Sequence, residues 1–251
     1  MFSDDVEDAV SQIDAALDVL SSVDLSGVSA GDLVRLAGRC ETLARRQAVL
    51  RGDIALAVGR REAAEVGGAP LKVLADWLRI CPAEARRRSA MAEPLAPRTT
   101  LTGESLPPRQ PTTAQAWRAG ALDVEHVRVI QRFLTELPTA VSREQREEAE
   151  AFLAGHARTL RPDQLARLAE RLALSLNPDG QFSDADRAVR RGFTWSRQDA
   201  SGMSTGRLVA TPALRAELDA WVAKFAAPGM CNPADPRPAV GEQPSQDQID
   251  T

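Results

Sequence analysis

The chain has 251 residues, of which 43% are hydrophobic and only 4% aromatic, and it contains no tyrosine. Its formal charge of −4 and isoelectric point of about 5.4 exclude a protein that is basic overall and binds nucleic acid with its whole surface. A core made mainly of Leu, Val and Ala favours helices over strands.

Cysteine usage and the N-terminal residues point to a reducing compartment. Cys40, Cys81 and Cys231 lie far apart, which indicates reduced thiols rather than a disulfide framework. The first ten residues are acidic and lack the apolar stretch of a signal peptide. No apolar run approaches the length of a membrane-spanning helix. We therefore expect a cytoplasmic protein without a membrane partner.

The N-terminal part is predicted to form two amphipathic helices whose apolar seams have heptad spacing. The first seam consists of Val6, Val10, Ile13, Leu17 and Leu20. Ser29 and Asp32 resemble a capping pair that begins the second helix, which we expect to extend to about Glu65. The second seam has Gln47 as a polar exception and consists of Leu33, Leu36, Cys40, Leu43, Leu50 and Ile54.

The second helix also carries many arginines outside this seam, among them Arg45 and Arg46. One interpretation is a solvated face whose charge is balanced by Glu41, Asp53 and Glu62. The other is a stripe that faces nucleic-acid phosphates.

A helix-turn-helix outline follows. Residues 71–78 predict a short helix with Trp77 as a core anchor, and Pro82 suits the first position of the next helix. That helix carries Arg86, Arg87 and Arg88, which are the first candidates for contact with DNA, with Arg45 and Arg46 second. Because each helical residue advances by about 100°, three consecutive arginines cannot all face one groove.

Residues 94–111 predict an extended surface connection, and residues 110–138 predict a central helical hairpin. Gly120 is expected to end the first helix of the hairpin in a left-handed conformation, and Asp123 to cap the second. The second helix has a regular apolar stripe of Val127, Ile130, Leu134 and Leu137.

Two further helices and a β-hairpin are predicted after the central hairpin. Ser142 and Gln145 match a capping box, and the helix that follows carries acidic residues that we interpret as a solvated face: Glu144, Glu147, Glu148 and Glu150. Pro162 begins a helix that Asn177 ends. Alternating residues at 192–210 predict a β-hairpin, and a final helix reaches about Phe225.

We therefore predict a mainly α fold: a multi-helix bundle with long amphipathic helices, the central helical hairpin and one small β-hairpin near residues 192–210. The predicted domains are residues 1–31, an N-terminal helix and connection, and residues 32–227, a helical domain. Residues 228–251 are rich in Pro, Asp and Gln and predict a disordered tail or linker.

The sequence offers no candidate active site. His126 and His156 are the only histidines, and no paired Cys or His spacing suggests a metal site. Phosphate-binding and nucleophile motifs are also missing. We interpret His126 as a cap or core-edge group, and we predict no catalytic, cofactor-binding or metal-binding residue.

Several segments together resemble the actinobacterial 13E12 repeat family, also called domain of unknown function 222. They are ADWLRICPAEARRRSAMAEPL, LTGESLPPRQPTTAQAWRAGALDVEHVRVIQRFLTELP and GFTWSRQDASGMSTGRLVATPALRAELDAWV. Members commonly carry a C-terminal HNH endonuclease domain, which implies DNA as the substrate and a divalent metal in the nuclease. This sequence contains no His-Asn-His constellation, so no catalytic residue can be carried over.

Two functions remain open on this basis. One is a non-catalytic helical domain of an HNH endonuclease-like protein that positions or assembles the protein on DNA. The other is a structural module without a nucleic-acid role that self-associates through the heptad seams.

Overall fold

The computed structural model describes residues 3–180 and 182–225 and confirms the mainly helical fold class. The longer helices are α1 (Asp4–Ser21), α2 (Ala30–Gly59), α4 (Pro70–Leu78), α5 (Pro82–Ala92), α6 (Pro111–Arg118), α7 (Val124–Glu136), α8 (Arg143–His156), α9 (Pro162–Leu176) and α11 (Pro212–Phe225). Two shorter helices are α3 (Ala63–Val66) and α10 (Asp184–Arg190). The predicted tail at 228–251 lies outside the described residues.

The strands form two small antiparallel pairs. The predicted hairpin is present as β3 (Gly192–Trp195) paired with β4 (Gly206–Val209). A second pair, β1 (Arg98–Thr99) with β2 (Ser105–Leu106), was not predicted. It lies in the connection that we expected to be merely extended, where Gly103 turns the chain with a φ of 89°.

The described residues form two compact units, and the first contains the main core. This unit comprises the residues up to Leu137 and Val141–Leu176. In it, α2 packs against α4, α5 and α6, while α8 packs against α6, α7 and α9. Among the described residues, the largest fully buried side chain is Trp117 of α6, which belongs to the core cluster together with Leu95, Leu122, Ile130 and Leu153.

The two residues predicted to form the turn of the central helical hairpin have the expected roles. Gly120 has a φ of 74°, and Asp123 accepts the N–H of Glu125 at 2.8 Å. The predicted apolar stripe of α7 faces the core, with Val127 and Ile130 fully buried. The caps at Ser29 and Ser142 are also present as predicted.

In α2, the predicted heptad seam is not the buried face. Its buried residues are Val49, Gly52, Ala55 and Leu56, whereas Leu43 and Leu50 of the predicted seam are 55% and 56% exposed. The small residues are inside because α5 and α6 approach closely: a Cβ on Gly52 would lie 3.1 Å from Trp117 and 3.3 Å from Ala92. The helix also ends at Gly59, and the short α3 follows it.

Trp77 is not a core anchor, because its side chain is 84% exposed. On α4 the buried residue is Ala75, and α4 packs against both α2 and α5. Trp77 follows Ala75 by two residues, about 200° around the helix, and therefore points away from this contact.

Glu150 is not part of the solvated face of α8. It is buried, and its carboxylate Oε1 accepts the backbone N–H of Thr113 at 2.6 Å. Glu144, Glu147 and Glu148 are exposed as predicted.

The second unit comprises Pro138–Ala140 and the described residues from Asn177 onward. Here Ser183 begins α10 with a capping box, and Asp186 also accepts the backbone N–H of Thr139 at 3.1 Å. The rings of Phe193 and Trp195 on β3 meet edge to face, with centroids 4.9 Å apart. No helix among the described residues of either unit is both long and apolar enough to cross a membrane.

Candidate nucleic-acid interface

The helix-turn-helix outline is present as α4 and α5, which pack against each other. Arg79 closes α4 in a left-handed conformation, with a φ of 55°, and Pro82 is the first residue of α5. The buried face of α5 consists of Ala85, Met91 and Ala92. Because these positions anchor α5 against the core, the run of three arginines is divided between different sides of the helix.

A cleft with basic walls lies between α2, α5 and the first two turns of α7. We call it the arginine cleft. Its volume is about 90 Å³, and it is lined by Ala48, Arg51, Glu84, Arg87, Arg88, Met91, Val124 and Arg128. Four arginines from three helices and one acidic residue, Glu84, therefore line the cleft.

Glu84 organises the α5 side of the cleft. Arg88 donates from Nε to Glu84 Oε1 at 2.8 Å, and Arg87 forms an ion pair with the other carboxylate oxygen. The side chain of Arg88 is 20% exposed and that of Arg87 is 57% exposed. Arg88 is thus held in the wall, whereas Arg87 presents its guanidinium to solvent.

The other two arginines enter from α2 and α7. Arg51 donates to the neutral amide oxygen of Gln47 at 2.8 Å, so its charge is not offset by that partner. Arg128 pairs with Glu125, one turn earlier on α7. Even with Glu125 included, positive charge exceeds negative charge around the cleft.

The remaining predicted arginines lie elsewhere. Arg86 is exposed and does not line the cleft. Arg45 pairs with Glu41 at 3.1 Å and donates to the carbonyl of Ala121 at 3.2 Å, so it fastens the turn between α6 and α7 to α2. The stem of Arg46 lies beside Gly120 at the same turn.

Sequence reasoning singled out Arg87 and Arg88 but missed Arg128, and it placed Arg51 only within a general charged face. Nothing in the local pattern around Arg128 distinguishes it from other surface arginines with a glutamate nearby. Its place in the cleft depends on how α7 packs near α2 and α5, and this is information that helical periodicity does not contain.

The described residues contain no group of three or more His, Cys, Asp or Glu side chains placed to hold a metal ion. His126 is buried and has a structural role, as interpreted from the sequence. Its Nδ1 accepts the N–H of Asp123 at 3.2 Å, so its Nε2 carries the proton donated to the Leu160 carbonyl at 2.8 Å. The imidazole therefore ties the start of α7 to the connection before α9.

Comparisons with known proteins identify relatives over nearly the whole chain. A family model described as "Domain of unknown function (DUF222)" matches residues 34–250. The uncharacterized protein MT1160 of Mycobacterium tuberculosis is 41% identical over 246 residues, covering 98% of this chain and 59% of the relative. The uncharacterized protein Mb1179c of Mycobacterium bovis is 43% identical over 253 residues, covering 99% and 56%. The chain thus spans little more than half of these relatives, and no solved structure matches it.

Proposed function

The chain belongs to the DUF222 family, and we propose that it is a non-catalytic helical domain that positions a longer, HNH endonuclease-like protein on duplex DNA. The observation that carries the proposal is the arginine cleft, which is lined by four arginines from three helices and by a single acidic residue, Glu84. In this proposal the chain itself needs no cofactor. A divalent metal belongs only to a nuclease domain elsewhere in a full-length, cytoplasmic protein.

The cleft suits a phosphate group better than a base edge. Arginine binds phosphate through paired N–H donors, and its charge persists at every physiological pH. Contacts to phosphate fix the position of a protein on DNA but carry no sequence information. A positioning domain needs this kind of contact, because sequence selection or cleavage can then be performed by another part of the protein.

The ion pairs in the cleft set the expected strength of binding. An approaching phosphate competes with Glu84 for Arg87 and with Glu125 for Arg128, so part of each new contact replaces an old one. The chain is also acidic overall, with a net charge of −4, which opposes a polyanion at longer range. We therefore expect weak, non-specific binding that is sensitive to salt.

The test is a salt titration of duplex binding with the wild type and the single variants Arg51→Ala, Arg87→Ala and Arg128→Ala. Each variant is expected to reduce the slope of log affinity against log salt by about 0.9 for every phosphate that the protein no longer neutralises. Arg86→Ala is the matched control, because it removes the same charge from α5 outside the cleft. It should keep the wild-type slope.

Two results would overturn the proposal. One is the absence of duplex binding by the folded wild type at low salt. The other is a set of cleft variants with the same slope as Arg86→Ala, since binding would then not involve the arginine cleft.

A further inference from the structure

Helix α2 has two apolar faces on opposite sides. The inner face, with Val49, Gly52 and Leu56, is buried against the rest of the first unit. Leu43 and Leu50 on the outer face are exposed, and Ile54 is 47% exposed. At about 100° per residue, Leu50 and Ile54 lie roughly 160° from Gly52 around the helix axis. From Cys40 to Ile54 the outer seam is therefore exposed within the described chain, whereas Leu33 and Leu36 are half-buried.

The spacing of the outer seam is that of a coiled coil. Apolar residues that pack in a globular core usually occupy three positions per heptad, whereas a coiled coil uses two, spaced alternately by three and four residues. From Leu33 to Ile54 the seam follows the two-position pattern through three heptads, broken only by Gln47. Within the chain, the side chain of Gln47 accepts a hydrogen bond from Arg51 on the same helix.

Helix α1 offers a second unused seam of the same kind. None of its 18 residues, all of which the structure describes, is buried. Its seam residues are exposed, have the same alternating spacing and are Val6, Val10, Ile13, Leu17 and Leu20. Neither seam covers the other within one chain, so both leave apolar surface in water.

Charge distinguishes which helices fit together. Helix α1 contains six acidic residues and no basic one, and Glu7 and Asp14 directly follow seam residues. On α2, Arg39 and Arg46 directly precede seam residues. Glu7 and Asp14 are one heptad apart, and so are Arg39 and Arg46. None of these four side chains makes an ion pair within the described residues. Pairing α1 with α1, or α2 with α2, would instead bring like charges together.

We propose that the partner of these surfaces is a second copy of this chain, with α1 of each copy packed along the outer seam of α2 of the other. The two interfaces are identical and related by a two-fold axis, which closes the assembly as a dimer. In a parallel arrangement, residues that follow one seam face residues that precede the other, so Glu7 and Asp14 pair with Arg39 and Arg46. This surface meets the arginine cleft at the hydrogen bond between Gln47 and Arg51, but the proposal does not depend on DNA binding.

The first test measures the mass of the full chain by sedimentation velocity over a range of concentrations. The wild type should be a dimer, and Ile13→Glu in α1 or Leu43→Glu in α2 should each raise the dissociation constant at least about 100-fold, because a carboxylate would be buried in an apolar seam. Val19→Glu and Val34→Glu are matched controls on the same two helices. Their residues are 66% and 73% exposed and lie outside the seams, so both variants should remain dimers.

The second test reverses charges. One double variant carries Glu7→Arg and Asp14→Arg, and the other carries Arg39→Glu and Arg46→Glu. Each should raise the dissociation constant of the dimer about two- to fivefold for every ion pair that is lost. A variant carrying all four changes should recover wild-type affinity. The proposal would be overturned by a monomeric wild type or by a dimer that is insensitive to Ile13→Glu and Leu43→Glu. It would also be overturned if the variant with all four charge reversals did not recover wild-type affinity.

Discussion

Glu150 of α8 holds the first turn of α6 through Thr113, which lies 37 residues earlier in the chain. Its carboxylate Oε1 accepts the backbone N–H of Thr113 at 2.6 Å, and both residues are buried. The residue before α6, Gln110, provides no side-chain cap. Glu150 therefore satisfies an N–H that the helix itself leaves without a partner, and its negative charge lies at the favourable end of the helix dipole.

We expect Glu150→Ala to lower the free energy of unfolding of the first unit by about 2 to 3 kcal/mol, because a buried N–H loses a charged acceptor. Glu150→Gln keeps an acceptor without the charge and should cost about 1 kcal/mol. Urea unfolding followed by circular dichroism measures both. Glu148→Ala, an exposed change on the same helix, should remain within about 0.5 kcal/mol of the wild type. Equal effects at positions 148 and 150 would contradict the capping role.

Glu150 also illustrates what the sequence could predict. The N-terminal caps at Ser29, Asp123 and Ser142 were predicted correctly because each capping side chain and the N–H group it binds are at most three residues apart in the sequence. The partner of Glu150 is on another helix, and no local pattern indicates which of four glutamates is buried. Sequence periodicity locates helices, but tertiary packing decides which side chains become internal caps.

The heptad seam did not indicate the buried face of α2 for a related reason. Large apolar residues define the more prominent stripe, yet the unit packs on the face with Gly52 and Ala55, where Trp117 and Ala92 come close. When a helix has two apolar faces, periodicity alone does not show which of them is buried. Of the arginines in the cleft, only Arg87 and Arg88 were named as DNA-contact candidates from the sequence. The cleft is formed by three helices, and their packing cannot be read from local periodicity.

The tight approach between Gly120 and α2 gives a second prediction. Gly120 has a φ of 74°, and a Cβ there would lie 2.9 Å from the backbone oxygen of Thr42. Gly120→Ala should therefore cost about 2 to 4 kcal/mol, from the left-handed backbone and from the overlap with α2. Gly155→Ala is the control. Gly155 lies within α8 with open space around it, so the change should stabilise the protein by about 0.5 to 1 kcal/mol. A similar effect of both changes in urea unfolding would contradict this account of the turn.

Two tryptophans give a third prediction. Trp117 is fully buried and Trp77 is largely exposed, although the sequence favoured Trp77 as an anchor. Trp117→Ala should destabilise the first unit by about 3 to 5 kcal/mol, because it removes a large side chain from the core. Trp77→Ala should change stability by less than about 0.5 kcal/mol. Thermal unfolding measures which of the two variants loses more stability. A larger loss of stability for Trp77→Ala would contradict the observed packing of α4.

The last prediction concerns Asp186 in the second unit. The hydroxyl and the backbone N–H of Ser183, together with donors from Thr139, lower the pKa of this carboxyl from 3.8 to about 2. Because the folded pKa is below the ordinary value, the ionised carboxylate stabilises the start of α10 fully above pH 3.8. The contribution should be lost as the pH falls from 3.8 to about 2, and below that the carboxyl is protonated in both folded and unfolded chains.

A carbon-13 NMR titration of the Asp186 carboxyl measures this pKa directly. Ser183→Ala should raise the pKa further towards 3.8 than Thr139→Val does, since the Ser183 hydroxyl makes the larger contribution. In hydrogen exchange, Asp186→Asn should reduce the protection of α10 at neutral pH, because the amide side chain has no charge with which to stabilise the helix start. The difference from the wild type should shrink as the wild-type carboxyl becomes protonated. A wild-type pKa at 3.8, or a pKa that moves more with Thr139→Val, would show that Ser183 does not hold the carboxylate as the structure places it.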